Sequence, residues 1–146
     1  MNIAGFFEEL WPPPFGTPVG SIKDNVAAHR HGDAKEIIQY LSSGHDLFSV
    51  MGSSEDVMGS GETVLGGDSI HSDGAWIWRG DLCFYLRKYH VRLPNTFLAH
   101  VREKQYSMSA GKEIELRKLA QKVQDDLTAG NNSPSKHTNQ RPNGPY

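Results

Sequence analysis

Residues 73–97 read DGAWIWRGDLCFYLRKYHVRLPNTF and hold much of the aromatic and aliphatic mass from which a core can be built. Asp73-Gly74 is a dipeptide favoured in type I′ hairpin turns, and it returns the chain as Ala75-Trp76-Ile77-Trp78. The period of two in a strand puts Trp76 and Trp78 on one face, with Ala75 and Ile77 on the other. Both faces are apolar, so this strand is expected at the centre of a sheet. Asp81 stands where a helix N-cap is wanted, ahead of Leu82, Phe84, Tyr85, Leu86 and Tyr89, which span a wide apolar arc. Arg87, Lys88 and His90 fall near the end of that helix, where cations suit its dipole. Leu93-Pro94 ends the run and opens another helix, in which Phe97, Leu98 and Val101 repeat at helical spacing. Trp76, Trp78, Tyr85, Tyr89, Leu93, Pro94 and Phe97 are therefore read as scaffold.

The remaining segments are expected to cover this stretch. Ile3, Phe6, Phe7 and Leu10 form one face of a short helix ended by Pro12 to Pro14, which would dock as a lid. Residues 12–20 read as a surface connection and residues 21–31 as a weak helix. Asp33 and Glu36 make a capping box for a better-supported helix that buries Ile37, Ile38 and Leu41, with Gly44 at its left-handed end. A strand is expected over residues 47–51, a Gly/Ser-rich loop over 52–61 and a second short strand over 62–65. Gly66-Gly67 then turns the chain into residues 68–72, so that three strands run as a meander into the tryptophans. Ser109 precedes a long helix with Leu116, Leu119, Ala120, Val123 and Leu127 on one stripe, closed by Gly130. The expected fold is α+β: a small antiparallel sheet of three to four strands packed against several helices. It forms a single domain over residues 1–130, with residues 131–146 a flexible tail.

Charge is balanced overall but divided along the chain. The net charge is −2 and the pI 6.4, which favours neither nucleic acid nor a membrane surface as partner. Residues 1–78 carry 3 Lys and Arg against 11 Asp and Glu, while residues 79–146 carry 12 against 6. The single cysteine, Cys83, excludes an intramolecular disulfide and is expected in the core. The chain shows no basic and apolar leader and no apolar run of bilayer length, so a cytoplasmic protein without a membrane role is expected.

No residues stand at spacings that demand catalysis, a cofactor or a metal. His29 and His31 are two apart, which on a helix points them in different directions, and Cys83 lacks the paired ligands of a zinc site. Asp73 and Asp81 already have turn and capping roles, and G-x-S-x-G, H-E-x-x-H, phosphate-loop and C-x-x-C patterns are absent. A protein-binding role is therefore expected rather than an enzyme. Its surface would be built from Glu55, Asp56, Glu62, Asp68 and Asp73, acidic residues clustered where they can steer a basic partner. Two alternatives stand beside it. One is a small hydrolase or transferase using His71, Asp73 or His90; the other is a regulatory module contacting nucleic acid through Arg117, Lys118 and Lys122.

Ser72 to Trp78, Leu82 to Tyr85 and Tyr89 to Phe97 together carry a D-G-x-W-x-W hairpin, a Tyr-rich helix and an H-x-x-L-P-x-x-F segment. Over residues 60–101 the chain in this way resembles a family of small, mostly uncharacterised bacterial proteins. The resemblance implies architecture and no catalytic residue. It also implies the role of an immunity protein, which occludes a cognate toxin encoded beside it. Arg79-Gly80 departs from the family pattern, which has proline or an acid after the second tryptophan.

Overall fold

In the computed structural model, which describes residues 1–131, the tryptophan strand does lie at the centre of a sheet. The strands are β1 (Asn2–Ile3), β2 (His45–Phe48), β3 (Ser53–Glu55), β4 (Thr63–Leu65), β5 (Ile70–Ser72) and β6 (Trp76–Arg79). The helices are α1 (Ala34–Ser42), α2 (Leu82–Tyr89), α3 (Asn95–Glu103) and α4 (Glu113–Asn131), so the fold is α+β. The main sheet runs β1-β6-β5-β2, and β3 and β4 form a separate two-stranded sheet. Except for Asn131, the last residue of α4, the expected tail falls outside the described residues.

Alternation in β6 carries through to packing. Trp76 and Trp78 meet Phe97 of α3 edge-on, at ring-centroid distances of 5.1 and 5.9 Å, and Tyr40 of α1 lies 6.2 Å from Trp78. Such edge-to-face pairs add about 0.5–1.5 kcal/mol each to what area burial alone provides. The Trp78 indole N–H donates to the Leu41 carbonyl at 3.1 Å, so the ring is buried without an orphaned donor. Tyr85, Leu93 and Phe97 are buried in the same core, while Trp76, Tyr89 and Pro94 are half-buried. Helix α1 packs against α2, and α4 packs against β2.

Several local expectations give way to tertiary contacts. Residues 3–10 are not a helix: Asn2–Ile3 pairs in parallel with β6, which makes the sheet mixed rather than antiparallel. The chain then turns at Gly5, whose φ of 74° is left-handed and where a Cβ would come within 2.7 Å of the Leu82 side chain. Ile3, Phe7 and Leu10 are buried all the same. Of residues 21–31, only Ile22–Asn25 form a short 3-10 turn. The strand expected over 47–51 begins two residues earlier and ends at Phe48, with a bulge between Asp46 and Phe48.

Neither expected capping aspartate caps its helix. Asp33 sits at the start of α1, but its carboxylate accepts from Arg102 at 2.8 and 2.9 Å and from the Tyr106 hydroxyl at 2.5 Å. Asp81 precedes α2 with its side chain turned to Arg79 and Ser54. In both cases a cation donates more strongly than the helix N–H groups could. Gly44 does not adopt the left-handed conformation; small size is what its position needs, because a Cβ would lie 2.6 Å from the Trp78 ring. Gly130 lies inside α4 rather than closing it.

The hairpin between β5 and β6 also differs in type. Only Gly74 has positive φ, at 98°, so the paired left-handed residues of a type I′ turn are not present. Asp73 N–H donates to Trp76 C=O at 3.3 Å, leaving the two-residue loop Gly74-Ala75 with glycine first, and Trp76 N–H turns to the Asp73 carboxylate at 2.7 Å. The meander is likewise broken, since β4 pairs with β3 and not with β5.

Candidate functional site

The β3–β4 hairpin stands apart from the main sheet, and a set of buried polar contacts pins it to α2. Residue pairs Ser53/Leu65, Ser54/Val64 and Glu55/Thr63 face each other across it. Alternation turns Ser54 and Val64 inward and leaves Ser53, Glu55, Thr63 and Leu65 on the outward face. Below, the Ser54 hydroxyl donates to Asp81 at 3.1 Å, and the Tyr85 hydroxyl accepts from Val57 N–H at 2.9 Å and donates to Glu55 C=O at 3.4 Å. Burial pushes the Tyr85 phenol up to about 12, so it stays protonated and able to donate.

Asp56 organises the loop that joins the two strands. It is buried, and its carboxylate accepts from Met58 N–H at 2.8 Å, from Ser60 N–H at 3.3 Å and from the Tyr89 hydroxyl. Burial alone would raise its pKa, but the hydrogen bonds from Ser60, Tyr89 and Met58 outweigh it and hold the carboxyl below its ordinary value. Lys88 closes the arrangement with an ion pair to Glu62 at 2.6 Å.

Beside the hairpin, Arg79 works as a hub. Its guanidinium donates to both Asp81 oxygens at 3.0 and 2.7 Å, to Asp68 at 3.0 Å and to Leu10 C=O at 2.9 Å. Burial works against its charge, yet the Asp81 carboxylate beside it raises its pKa further. A charge directly after an apolar strand, two residues from an acid, was the available signal for Arg79.

Asp73, by contrast, is buried beneath the sheet's own turn. Its carboxylate accepts from Tyr40 OH at 2.5 Å, from Ala75 and Trp76 N–H at 2.8 and 2.7 Å, and lies 2.9 Å from His100 Nε2. Burial would raise its pKa, but the Tyr40 hydroxyl, the two main-chain donors and His100 hold it below the ordinary value. Tyr40 is pushed well up in turn, by burial first and then by Asp73. Neither Tyr40 nor His100 has a local sequence signal, being 33 and 27 residues away from Asp73.

The five acidic candidates therefore part company. Asp56 and Asp73 face inward, Asp68 and Glu62 are exposed but paired with Arg79 and Lys88, and Glu55 stands exposed on the outward face of the hairpin. Of the exposed large apolar residues, Leu65, 81% exposed, shares that face and Met51, 93% exposed, comes just before β3, while Met1, Val19 and Ile114 lie elsewhere. His71, Asp73 and His90 are not joined to one another. His71 Nδ1 pairs with Asp46 at 2.7 Å, and His90 ends α2 in a left-handed conformation with its N–H on Leu86 C=O. A groove of about 310 Å³ is lined away from these residues, by Phe6, Phe7 and Arg92 among others, and another of about 200 Å³ has Asp68 and Arg79 in its wall beside Trp11 and Ile70.

Cys83 is half-buried, with its thiol 3.7 Å from Ile38 C=O, and burial pushes its pKa up. Among the described residues no group of three or more His, Cys, Asp and Glu could hold a metal ion, and no helix is long and apolar enough to cross a membrane. The chain matches no family model, no curated protein and no solved structure.

Proposed function

We propose that this chain is a cytoplasmic protein-binding module, an immunity protein that occludes a cognate bacterial toxin through the outward face of the β3–β4 hairpin. One observation carries the reading: Leu65 and Glu55 are held out to solvent on a hairpin whose underside is fastened by Asp56, Tyr85 and Tyr89, and Met51 is exposed just before β3. Occlusion needs a complementary surface that is already in place before the partner arrives, because ordering side chains and loops on contact costs about 0.5–1.5 kcal/mol for each rotamer-rich group. Large apolar side chains at the centre with charge around them match the anatomy of such interfaces.

Co-expression with the toxin encoded beside this protein tests the reading. Wild-type protein is expected to restore growth, and Met51→Asp combined with Leu65→Asp to abolish that rescue while the thermal midpoint stays within a few degrees. Rescue that survives the double substitution removes the hairpin as the binding face. A toxin that this protein never neutralises removes the immunity role itself.

A further inference from the structure

The main sheet and the hairpin treat their edges differently. Helix α4 packs against β2 at one edge of the main sheet, with His45 Nε2 2.7 Å from the Ser109 carbonyl. On the hairpin, the outer side of β3 is engaged by α2, where Tyr85 OH reaches Glu55 C=O. The outer side of β4 has no such cover.

Its backbone orientation follows from the register. Gly66 N–H donates to Gly52 C=O at 2.8 Å and Asp56 N–H to Glu62 C=O at 3.0 Å, which marks these as hydrogen-bonded pairs of an antiparallel ladder. The alternation of such a ladder makes Ser54/Val64 the next hydrogen-bonded pair, so Ser53/Leu65 and Glu55/Thr63 are the intervening pairs. The N–H and C=O groups of Thr63 and Leu65 therefore point away from β3. Among the described residues none of these four groups has a hydrogen-bond partner, and both residues are exposed. A row of free main-chain donors and acceptors is a template for another strand.

We infer that the partner docks by adding an extended segment to the free edge of β4, with an apolar side chain opposite Leu65 and a lysine or arginine opposite Thr63. This inference rests on the hairpin being the partner-facing surface. The side-chain pattern comes from the geometry of the outward face. A residue opposite Leu65 sits about 5 Å from it across the new pair and packs on it. A residue opposite Thr63 lies two strand spacings, about 10 Å, from Glu55, within reach of a long cationic side chain laid over Thr63. Glu62 is already paired with Lys88, whereas Glu55 has no ion-pair partner among the described residues. Charge also favours a basic partner over a second copy of this chain, whose hairpin would add another Glu55 to the same outward face.

The probes are two short capped peptides with valine and lysine two residues apart, one in each order, added at millimolar concentration to the full chain. Amide hydrogen exchange at Thr63 and Leu65 is expected to slow at least about tenfold with one of them. The same peptide N-methylated at its edge-facing amides is expected to give no protection. Thr63→Pro should abolish protection at Leu65, since it removes an outward N–H and adds a ring at the edge, while Thr63→Val should keep it. Circular dichroism and the thermal midpoint report whether each variant folds, and the N-methylated peptide keeps the test decisive if Thr63→Pro does not. Unchanged exchange at both amides, or protection that survives N-methylation, overturns the inference. So does protection in the protein alone that deepens with its own concentration, which would assign the edge to a second copy. None of these results depends on toxin neutralisation: strand addition without rescue sinks the proposed function alone, and rescue through Met51 and Leu65 without strand addition sinks the inference alone.

Discussion

Asp73 and Asp56 are both buried carboxylates that accept main-chain N–H groups in a tight loop and a tyrosine hydroxyl from a helix, yet they support opposite kinds of structure. Around Asp73 everything closes: Tyr40 and His100 cover it, and Phe97 packs over both tryptophans of β6. Around Asp56 the same chemistry holds a hairpin whose other face remains open, with Leu65 and Met51 in solvent. A buried polar network can thus lock a core or brace a surface. What separates the two is how many elements converge on the carboxylate, and whether apolar mass continues beyond it.

Substitutions graded across the two regions should separate them. The largest effect is expected from Phe97→Ala, which removes the ring touching Tyr40, Trp76 and Trp78 and should cost about 3–5 kcal/mol. Urea unfolding reads this directly, and a loss under 1 kcal/mol would mean the aromatic cluster is not the centre of the core. Asp73→Ala comes next. It leaves the Tyr40 hydroxyl and two loop N–H groups without their acceptor, for a loss of about 2–3 kcal/mol.

Asp56→Ala removes the equivalent acceptor at the braced hairpin, but water reaches Ser60 and the loop, so about 1–2 kcal/mol is expected. Amide exchange should accelerate over residues 53–65 before it does in β5 and β6. Uniform acceleration would show that the hairpin and sheet open as one unit. The double substitution at Met51 and Leu65 should change stability least, within about 0.5 kcal/mol per site, because both side chains are exposed in the folded state.

Acid should act on both regions in the same direction. The carboxyls of Asp56 and Asp73 titrate below their ordinary value of 3.8 in the folded protein. Their contribution to stability is therefore complete above that pH and is lost as pH falls through the lower, folded-state values. Urea midpoints measured downward from pH 6 should stay level until about pH 4 and then decline. In Asp73→Ala the decline should be shallower, and an unchanged slope would place the acid sensitivity elsewhere.

Legibility in the sequence followed contact range. The tryptophan strand, α2, α3 and the α4 stripe could be read because alternation and helical spacing are properties of neighbouring residues. The apolar spacing of residues 3–10 foretold burial but not conformation, because Gly5 breaks the helix against Leu82, a residue 77 positions away. Asp33 and Asp81 looked like caps because no local pattern shows that Arg102 or Arg79 will claim the carboxylate. The acidic cluster was legible as a composition and not as a surface, since the sequence does not say which carboxylates turn inward.

The sequence by itself determined the class of fold, the central place of β6 and the presence of α1 to α4, because hydrophobic periodicity acts over a few residues and tolerates no other arrangement of Trp76, Ile77 and Trp78. Only tertiary structure decided that β4 leaves the sheet to pair with β3, that Asp56 and Asp73 are interior while Glu55 is not, and that the edge of β4 stays open. Those outcomes depend on long-range partners competing for the same polar groups. A buried carboxylate goes to whichever donors the fold brings within hydrogen-bonding distance, whatever its neighbours in the chain would have used it for.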